Sequence, residues 1–313
     1  MNVFWLVTIL IGSILLLLLL ITYICYCIAF YVYRKKPNIV AMPDNELYGP
    51  YRETIDNWAR ETLDIPCEEM EIKSFDGLIL RGKYYEYTPG APIELMFHGY
   101  RGTAERDLAG GVQRCFKLGR SALIVDQRCS GRSQGHTITF GVNEHRDCLR
   151  WIDFMIEHFG PDVKILLCGI SMGAATVLVA AGTELPKNVI GVLADCGYTT
   201  PKEIIQIVAK KLGLPPKLIY PFVKLGARIF GGFRLEEISP VEALKNCEVP
   251  VLFIHGESDD YVPCDMSRVN YEACTSRKML VTIPGAGHGL SYPVAPERYL
   301  QSLRDFFGTE ASA

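Results

Sequence analysis

The sequence has 313 residues, of which 49% are hydrophobic and 21% are charged, and its formal net charge is −3. This composition is that of a folded protein of one large domain or two small ones, and its charge gives no electrostatic reason to expect nucleic acid as a partner. The eleven cysteines are odd in number and include no CxxC-type pair. They therefore argue against a disulfide framework or a zinc site and favour reduced thiols in a cytoplasmic compartment.

The first segment, residues 1–36, is predicted to be a membrane anchor. No charged residue occurs from Val3 to Tyr33, and about 20 apolar residues are enough to cross a bilayer as a helix. Trp5 near one end and several tyrosines near the other suit interfacial positions. Three basic residues, Arg34 to Lys36, follow the apolar run and none precedes it, which favours the cytoplasm for the C-terminal side.

A cleaved signal peptide is the competing interpretation. Such peptides begin with a basic region and have a shorter apolar core of about 7–15 residues before an A-x-A site. Here the opening MNVFW has no basic side chain, the apolar run is longer, and no A-x-A site follows. Cys25 is also a poor lipoprotein site, because a bulky isoleucine precedes it. The prediction is therefore a retained single-pass helix.

Residues 37–66 are predicted to be a linker that leads into an amphipathic helix. Apolar side chains recur there at roughly helical spacing, with charged residues between them, at Leu47, Tyr51, Ile55, Trp58 and Leu63. Two placements are open for this helix. It lies either near the membrane surface or, more simply, against the side of the following domain.

Residues 67–310 alternate strand and helix patterns, which predicts one α/β domain with a mostly parallel, doubly wound sheet. A hairpin signal, Asp76-Gly77, separates two alternating runs at its start. Further apolar runs lie at 93–97, 121–126, 163–168, 188–195, 249–256 and 278–285. Helical patterns lie between most of them, near 103–118, 143–158, 172–183, 264–274 and 295–307. We expect two antiparallel strands first, then parallel strands buried on both faces.

One stretch, about 198–237, interrupts this alternation with helical fragments broken by Pro215-Pro216, Pro221 and Gly231-Gly232. Inserted between strands, it would lie over the C-terminal edge of the sheet, where open α/β sheets bind ligands. We interpret it as a small cap that lines a pocket with apolar side chains. A peripheral helical insertion is the alternative.

The pentapeptide Gly169–Gly173 has the pattern G-x-S-x-G, with a strand pattern directly before it and a helix pattern directly after. The pattern alone is weak, but this context is that of a nucleophile elbow. Ser171 would then stand at the N-terminus of a helix, whose dipole and N–H groups favour developing negative charge. A turn residue without chemistry is the alternative.

A serine nucleophile needs a base to take its proton, and the chain has six histidines. His288 lies in a glycine-rich loop after the last strand, which suits the chain order serine, acid, histidine of this kind of site. The other five have more ordinary predicted roles: surface positions on a helix (His145, His158), hydrogen bonds in turns at strand ends (His98, His255) and an uncommitted loop (His136).

The acid that orients the histidine is expected between the serine and the histidine, at the end of a strand. The segment HGESDDYVP offers Asp259 and Asp260, with Glu257 nearby. Asp195, which ends the strand before the cap, is an outside candidate. A loop rich in Asp and Gly is usually only a turn, but three suitable groups in the right order at three strand ends favour a site.

From about Glu68 to Phe307 the sequence resembles the α/β-hydrolase superfamily. It is most similar to cap-bearing bacterial serine hydrolases related to prolyl-oligopeptidase-type domains and to membrane-anchored α/β-hydrolase-domain proteins. The matching pieces are FHGYRGT, VDQRCSGRSQG, LLCGISMGAAT, ADCGYT, VPVLFIHGESDDYVP and IPGAGHGLSY. The resemblance implies a Ser-His-Asp triad whose acid is Asp259 rather than Asp260. It also implies oxyanion donors at the backbone N–H groups of Tyr100 and Met172.

The sequence departs from the family's D-x-R-G-x-G-x-S turn at Cys129, in the usual small-residue position, which leaves the triad intact. The expected reaction is hydrolysis of a carboxylester or thioester through an acyl-enzyme, because the pocket would be apolar and the protein would sit at a membrane. The partners would be the membrane and a small-molecule or lipid-like acyl substrate, with no metal or organic cofactor. Two alternatives stay open: a small serine aminopeptidase, and a binding protein that has the fold without the chemistry.

Overall fold

The computed structural model describes residues 3–33 and 48–308. The basic flank, Arg34 to Lys36, and the predicted linker up to Leu47 lie outside the described residues. The helices are α1 (Val3–Ala29), α2 (Arg52–Asp64), α3 (Ala104–Asp107), α4 (Ala109–Lys117), α5 (Glu144–Phe159), α6 (Met172–Ala181), α7 (Pro201–Lys211), α8 (Pro216–Ile229), α9 (Pro240–Ala243), α10 (Asp265–Ala273), α11 (Ser291–Val294) and α12 (Pro296–Phe307). The strands are β1 (Glu68–Lys73), β2 (Ile79–Tyr85), β3 (Ile93–Phe97), β4 (Ser121–Asp126), β5 (Ile165–Ile170), β6 (Val189–Asp195), β7 (Val251–Gly256) and β8 (Lys278–Ile283).

The strands form one sheet in the order β1-β2-β4-β3-β5-β6-β7-β8. β2 pairs antiparallel with β1 and with β4, and the remaining pairs are parallel. Side chains alternate between the two faces of β3: Leu95 packs in the core that contains Trp151 of α5, and Met96 packs in the core that contains Leu303 of α12. Helices therefore cover both faces, and the α/β prediction is confirmed.

β3 carries one charged side chain, Glu94, within an otherwise apolar run. The Glu94 side chain is fully buried and forms ion pairs with the guanidinium groups of Arg114, on α4, and Arg120, just before β4. Burial alone would raise the pKa of Glu94, but the two guanidinium groups outweigh it and hold the pKa below its usual value. This buried ion cluster, Glu94–Arg114–Arg120, ties the centre of the sheet to α4.

α2 packs on the side of the domain, which is the simpler of the two expected placements. Ile55 and Ala59 are buried, and a Cβ at Gly110 of α4 would lie 2.6 Å from the Trp58 ring. The expectation that Leu63 belongs to this inner face is wrong, because its side chain is 51% exposed. The buried face runs through Ile55, Ala59 and Thr62, and at 3.6 residues per turn position 63 lies about 80° around the helix from position 55, which turns Leu63 towards solvent.

α1 divides into two parts that differ in their surroundings. Every residue from Val3 to Leu20 is exposed, whereas Thr22, Tyr26 and Phe30 near the C-terminal end are buried. By length and composition α1 is a candidate membrane-spanning helix, and its most apolar window has no buried residue. A core helix of a soluble domain would instead be buried over its apolar stretch.

The C-terminal part of α1 packs directly against α8. A Cβ at Gly226 of α8 would lie 2.9 Å from the Thr22 carbonyl oxygen and 3.0 Å from the Tyr26 Cβ. A glycine therefore allows the two backbones to approach closely. Phe233, which follows α8 in the chain, meets the Phe30 ring edge to face, with the ring centroids 5.3 Å apart.

Two segments of the α/β domain hold the end of α1. The Tyr100 hydroxyl donates to the Ala29 carbonyl at 2.9 Å, and Arg101 Nη2 donates to the Ile28 and Tyr31 carbonyls at 2.9 and 3.1 Å. These donors satisfy carbonyl groups that a helix C-terminus leaves unpaired. The chain beyond α1 also pairs with residues 136–138, since Ile138 N–H donates to the Phe30 carbonyl at 2.9 Å.

Candidate active site

Ser171 lies at a sharp turn between β5 and α6, where the chain leaves no room for side chains on either side. Its backbone has φ 57° and ψ −115°. A Cβ at Gly169 would lie 2.2 Å from the Gly173 carbonyl, and a Cβ at Gly173 would lie 2.0 Å from the Phe97 carbonyl. A non-glycine residue at positive φ costs on the order of 1–3 kcal/mol, and such strain is commonly found at functional sites.

The turn places the Ser171 hydroxyl against the His288 imidazole. Ser171 Oγ lies 2.9 Å from His288 Nε2, and His288 Nδ1 lies 2.7 Å from Asp259 Oδ2. His288 comes from the loop after β8 and Asp259 from the loop after β7, so three strand ends supply the three groups. The Tyr48 hydroxyl donates to the His288 carbonyl at 2.9 Å and helps to fix the loop.

The Asp259 carboxylate is buried and fully engaged. Its Oδ1 accepts the backbone N–H groups of Tyr261 and Val262, each at 2.9 Å, while Oδ2 faces His288. Burial would raise the pKa of Asp259, but hydrogen bonds from His255 and His288 and from the Val262 N–H outweigh it and hold the pKa well below its usual value. The carboxylate is therefore ionised and can orient the imidazole.

The other candidate acids have different partners. Asp260 is exposed and pairs with Lys211 Nζ at 2.9 Å. Asp195 is buried, where burial raises its pKa, and it accepts the Ser291 hydroxyl at 3.0 Å. Glu257 accepts the Thr282 hydroxyl at 2.6 Å. The structure thus brings Asp259, not these three, to His288.

His255 has a role that sequence reasoning missed. A hydrogen bond in the turn was expected, and its Nε2 does lie 2.8 Å from the Val262 carbonyl, but it also lies 3.2 Å from Asp259 Oδ2. The Ser267 hydroxyl, 2.6 Å from Nδ1, fixes the ring. The sequence feature that could have indicated this role is the position of His255, four residues before Asp259. His255 is therefore a second imidazole on the same carboxylate.

The remaining four histidines have partners other than Ser171. The surface prediction for His145 is wrong: the ring is buried and its Nδ1 lies 2.9 Å from the Gly141 carbonyl, because the first turn of α5 is covered by the preceding loop. His158 is partly exposed near Glu68. His98 is buried and its Nε2 accepts the Gln127 N–H, as expected for a turn, and His136 stacks on Tyr31.

The predicted oxyanion donors flank the serine. Both Tyr100 and Met172 line the same cavity as Ser171, and a Cβ at Gly99 would lie 3.6 Å from the Ser171 Cβ. The Gly99 N–H donates to Asp107 Oδ2 at 3.3 Å, which fixes the loop. In the described part of the chain, the N–H groups of Tyr100 and Met172 have no hydrogen-bond acceptor, so they can meet a developing oxyanion.

The turn that departs from the family pattern keeps a glycine-like backbone. Cys129 has φ 70°, a conformation in which a non-glycine residue is strained. Its thiol is buried, and a Cβ at Gly135 would lie 2.9 Å from the Cys129 sulfur. The cysteine thus occupies the position without opening the turn.

One group of side chains near the site has metal-ligand chemistry. Ligand atoms of Cys196, Asp259 and His288 all lie within 4.8 Å of one another. Burial, and then the nearby carboxylates, raise the pKa of the Cys196 thiol well above its usual value, whereas a metal needs the thiolate. Since Asp259 and His288 already bond each other, these residues fit a hydrogen-bonded dyad better than an ion.

Ser171 and His288 open into a cavity of about 680 Å³. We call its two sides the floor and the roof. The floor consists of Ser171, Asp259, His288 and the strand ends that carry them. The roof consists of α7, α8 and the end of α1, Ile21–Ala29. The roof side chains that line the cavity are almost all apolar: Ile21, Ile24, Cys25, Ile28, Ala29, Ile204, Ile205, Val208, Ala209, Leu212, Ile219, Tyr220 and Val223.

Comparisons with known proteins agree with the fold described above. A family model described as alpha/beta hydrolase fold matches residues 95–246. The uncharacterized protein YqkD of Bacillus subtilis is 29% identical over 190 residues, which cover 60% of this chain and 62% of YqkD. The match thus spans less than two thirds of that relative.

Two solved structures share the architecture. The Pyrococcus furiosus esterase Pf2001 aligns with a TM-score of 0.65 and 24% identity over 80% of this chain and 96% of its own. A Pyrococcus horikoshii acylaminoacyl peptidase aligns with a TM-score of 0.57 and 18% identity over 79% of this chain and 42% of its own. Together with the eight-stranded sheet and the match to the family model, these structures show that the chain has the α/β-hydrolase fold.

Proposed function

We propose that the protein is a serine hydrolase that cleaves a carboxylester or thioester through an acyl-enzyme. The observation that carries the proposal is the His288 imidazole, which bridges the Ser171 hydroxyl at 2.9 Å and the Asp259 carboxylate at 2.7 Å. This is the geometry of a nucleophile, a base and an orienting acid. The fold and its esterase neighbour support a hydrolase at the coarser level.

In the proposed reaction, Ser171 Oγ attacks the acyl carbonyl carbon while His288 Nε2 takes its proton. The N–H groups of Tyr100 and Met172 hold the oxyanion, and each such donor is typically worth about 2.7–4 kcal/mol. The bond to the alcohol or thiol then breaks, and His288 returns the proton to that leaving group. Water, activated by His288, attacks the acyl-enzyme and releases the acid. Asp259 stabilises the imidazolium at each stage.

The apolar roof favours an acyl chain as the substrate group. Peptide-bond hydrolysis is the second candidate, because the acylaminoacyl peptidase shares the fold. A panel of acyl esters of varied chain length against aminoacyl amides separates the two. We expect the esters to be the better substrates, and a preference for the amides would replace the proposal with the second candidate.

The nucleophile is tested by fluorophosphonate labelling of Ser171→Ala. We expect the variant to stay folded and to lose labelling, since removing one member of such a triad costs orders of magnitude in turnover. Ser258→Ala, an exposed serine beside Asp259, is the matched control and should label like the unmodified protein. Equal labelling of Ser171→Ala would show that Ser171 is only a turn residue.

The proposal also includes the attachment of the protein to the membrane through α1. α1 is retained as a single span with the hydrolase domain on its cytoplasmic side, supported by the exposed apolar surface of Val3–Leu20 and by the basic residues Arg34 to Lys36 after it. Protease treatment of intact cells, or of spheroplasts if the source is bacterial, tests this orientation. We expect the domain to be protected until the membrane is broken. Digestion without breakage would reverse the orientation.

A further inference from the structure

The membrane helix is also a wall of the active-site cavity. Ile21, Ile24 and Ile28 lie on one side of α1, three or four residues apart, and all three line the cavity that contains Ser171. The C-terminal part of α1 is held in place, because α8 contacts it at Gly226 and because Arg101 and Tyr100 donate to the Ile28 and Ala29 carbonyls. The wall is therefore a fixed part of the site.

The position of these three residues along α1 places this wall at the membrane surface. The wholly exposed part of α1, Val3–Leu20, is about 27 Å long at 1.5 Å per residue, which nearly matches a hydrocarbon core of about 30 Å. The cavity-lining part begins at Ile21, directly after it. The cavity thus starts where hydrocarbon gives way to headgroups, which is the depth of the ester carbonyls of membrane lipids.

The cavity is open on the side that faces this boundary. Leu212 and Leu214, between α7 and α8, line the cavity and are 62% and 42% exposed, and Ile24 on α1 is 47% exposed. An apolar opening between α1 and the cap would be costly in water. Against a bilayer it is a passage for an acyl chain.

We infer that the substrate is a long-chain acyl ester resident in the membrane, which enters between α1 and the cap and lays its acyl chain along Ile21, Ile24 and Ile28. The inference rests on the proposed function. The chemical steps are the same: the acyl group is transferred to Ser171 Oγ and is then released by water. What the structure adds is the substrate class and its route. The membrane helix holds the acyl chain while the ester carbonyl reaches Ser171.

The test uses the full-length protein in phospholipid vesicles and p-nitrophenyl esters of butyrate and palmitate. Ile24→Trp should obstruct the wall and lower kcat/KM for palmitate about tenfold or more, with butyrate hydrolysis within about twofold. Leu17→Trp is the matched control, because Leu17 is two turns earlier on the same side of α1, outside the cavity. It should leave both esters unchanged.

Other outcomes separate the two proposals. Unchanged palmitate hydrolysis in Ile24→Trp, or an equal loss for both esters, would overturn the role of α1. Absence of fluorophosphonate labelling and of butyrate hydrolysis in the unmodified protein would instead overturn the proposed function, and the present inference with it.

The route is tested with a diacyl phospholipid that carries a quenched fluorescent acyl chain. We expect hydrolysis when this lipid and the protein share a vesicle, and at least tenfold less when they are in separate vesicles. Equal rates in the two arrangements would show that the substrate arrives through water.

Discussion

The floor and the roof of the cavity differ in how the chain positions them. Each floor residue follows a strand within a few residues, in a tight turn whose backbone leaves little choice of direction, as at Ser171 with φ 57°. The roof is assembled from segments about 200 residues apart in sequence, which meet at Thr22 and Gly226. The floor therefore depends on local geometry, and the roof depends on packing between distant helices.

The largest predicted effect in the floor distinguishes the two adjacent acids. Asp259→Asn should lower kcat by about 10³–10⁴, because an amide no longer orients and stabilises the protonated imidazole. Asp260→Asn should change kcat less than about twofold, since that residue pairs with Lys211 at the surface. Steady-state kinetics with a short-chain ester measures both. Similar losses in the two variants would remove the assignment of Asp259.

The floor also depends on the buried ion cluster beneath it. Glu94→Gln should lower the free energy of unfolding by about 3–5 kcal/mol, because Arg114 and Arg120 would lose a buried partner. Glu69→Gln, which breaks an exposed pair with Arg132, is the control and should cost less than about 1 kcal/mol. Chemical denaturation of the detergent-solubilised protein measures both.

The lowered pKa of Glu94 gives this prediction a pH dependence. A carboxylate whose pKa falls on folding contributes stability that is complete above its unfolded pKa of about 4.3 and is lost as the pH falls towards its folded pKa. Below about pH 5 the unmodified protein should therefore lose stability more steeply than Glu94→Gln. Parallel acid profiles for the two would contradict the ionised state of Glu94.

The roof is tested at its closest helix contact. Gly226→Ala places a methyl group 2.9 Å from the Thr22 carbonyl, so it should push α1 from α8 and cost about 1–3 kcal/mol. Gly12→Ala is the control on α1 itself, because no atom lies within 4 Å of a Cβ there. Thermal unfolding in detergent should show a fall in Tm of a few degrees for Gly226→Ala alone. A Tm at or above that of the unmodified protein would mean the contact is not tight.

The smallest predicted effect concerns one of the hydrogen bonds that hold the end of α1, from the Tyr100 hydroxyl to the Ala29 carbonyl. Tyr100→Phe removes the hydroxyl that donates to the Ala29 carbonyl but keeps the backbone N–H proposed as an oxyanion donor. One such bond is worth about 0.5–1.5 kcal/mol, so kcat/KM for a long-chain ester should fall less than about tenfold. Tyr87→Phe, remote from the cavity, should have no effect. A loss as large as that of Asp259→Asn would mean that the side chain itself takes part in the chemistry.

This contrast explains what could be predicted from the sequence. The strands, the turn at Ser171 and the placement of His288 follow from short-range patterns, and the α/β fold built on them is confirmed. Asp259 was chosen over Asp260 by family spacing, and the structure brings Asp259 to the imidazole.

The parts that sequence could not give depend on distant partners. Glu94 sits in an apolar run and is compatible with burial only because Arg114 and Arg120 lie 20 and 26 residues away in sequence and beside it in space. His145 is buried by a preceding loop rather than by its own helical pattern. The apolar run of α1 predicts a membrane span, but nothing within it marks Ile24 as part of a cavity, because that depends on where α8 and the segment of Tyr100 and Arg101 lie.

The sequence separation between α1 and its partners also orders events during synthesis. α1 emerges first, whereas the groups that hold its end follow much later: Arg101 is 73 residues beyond Ile28, Thr137 is 111 residues beyond Tyr26, and Gly226 comes last of all. Domains fold as units while the chain elongates, so in the proposed topology α1 enters the bilayer before the cap has been synthesised. In the proposed topology, the cavity is complete only once the nascent chain is anchored, and Ser171 first meets the proposed acyl chain in that membrane.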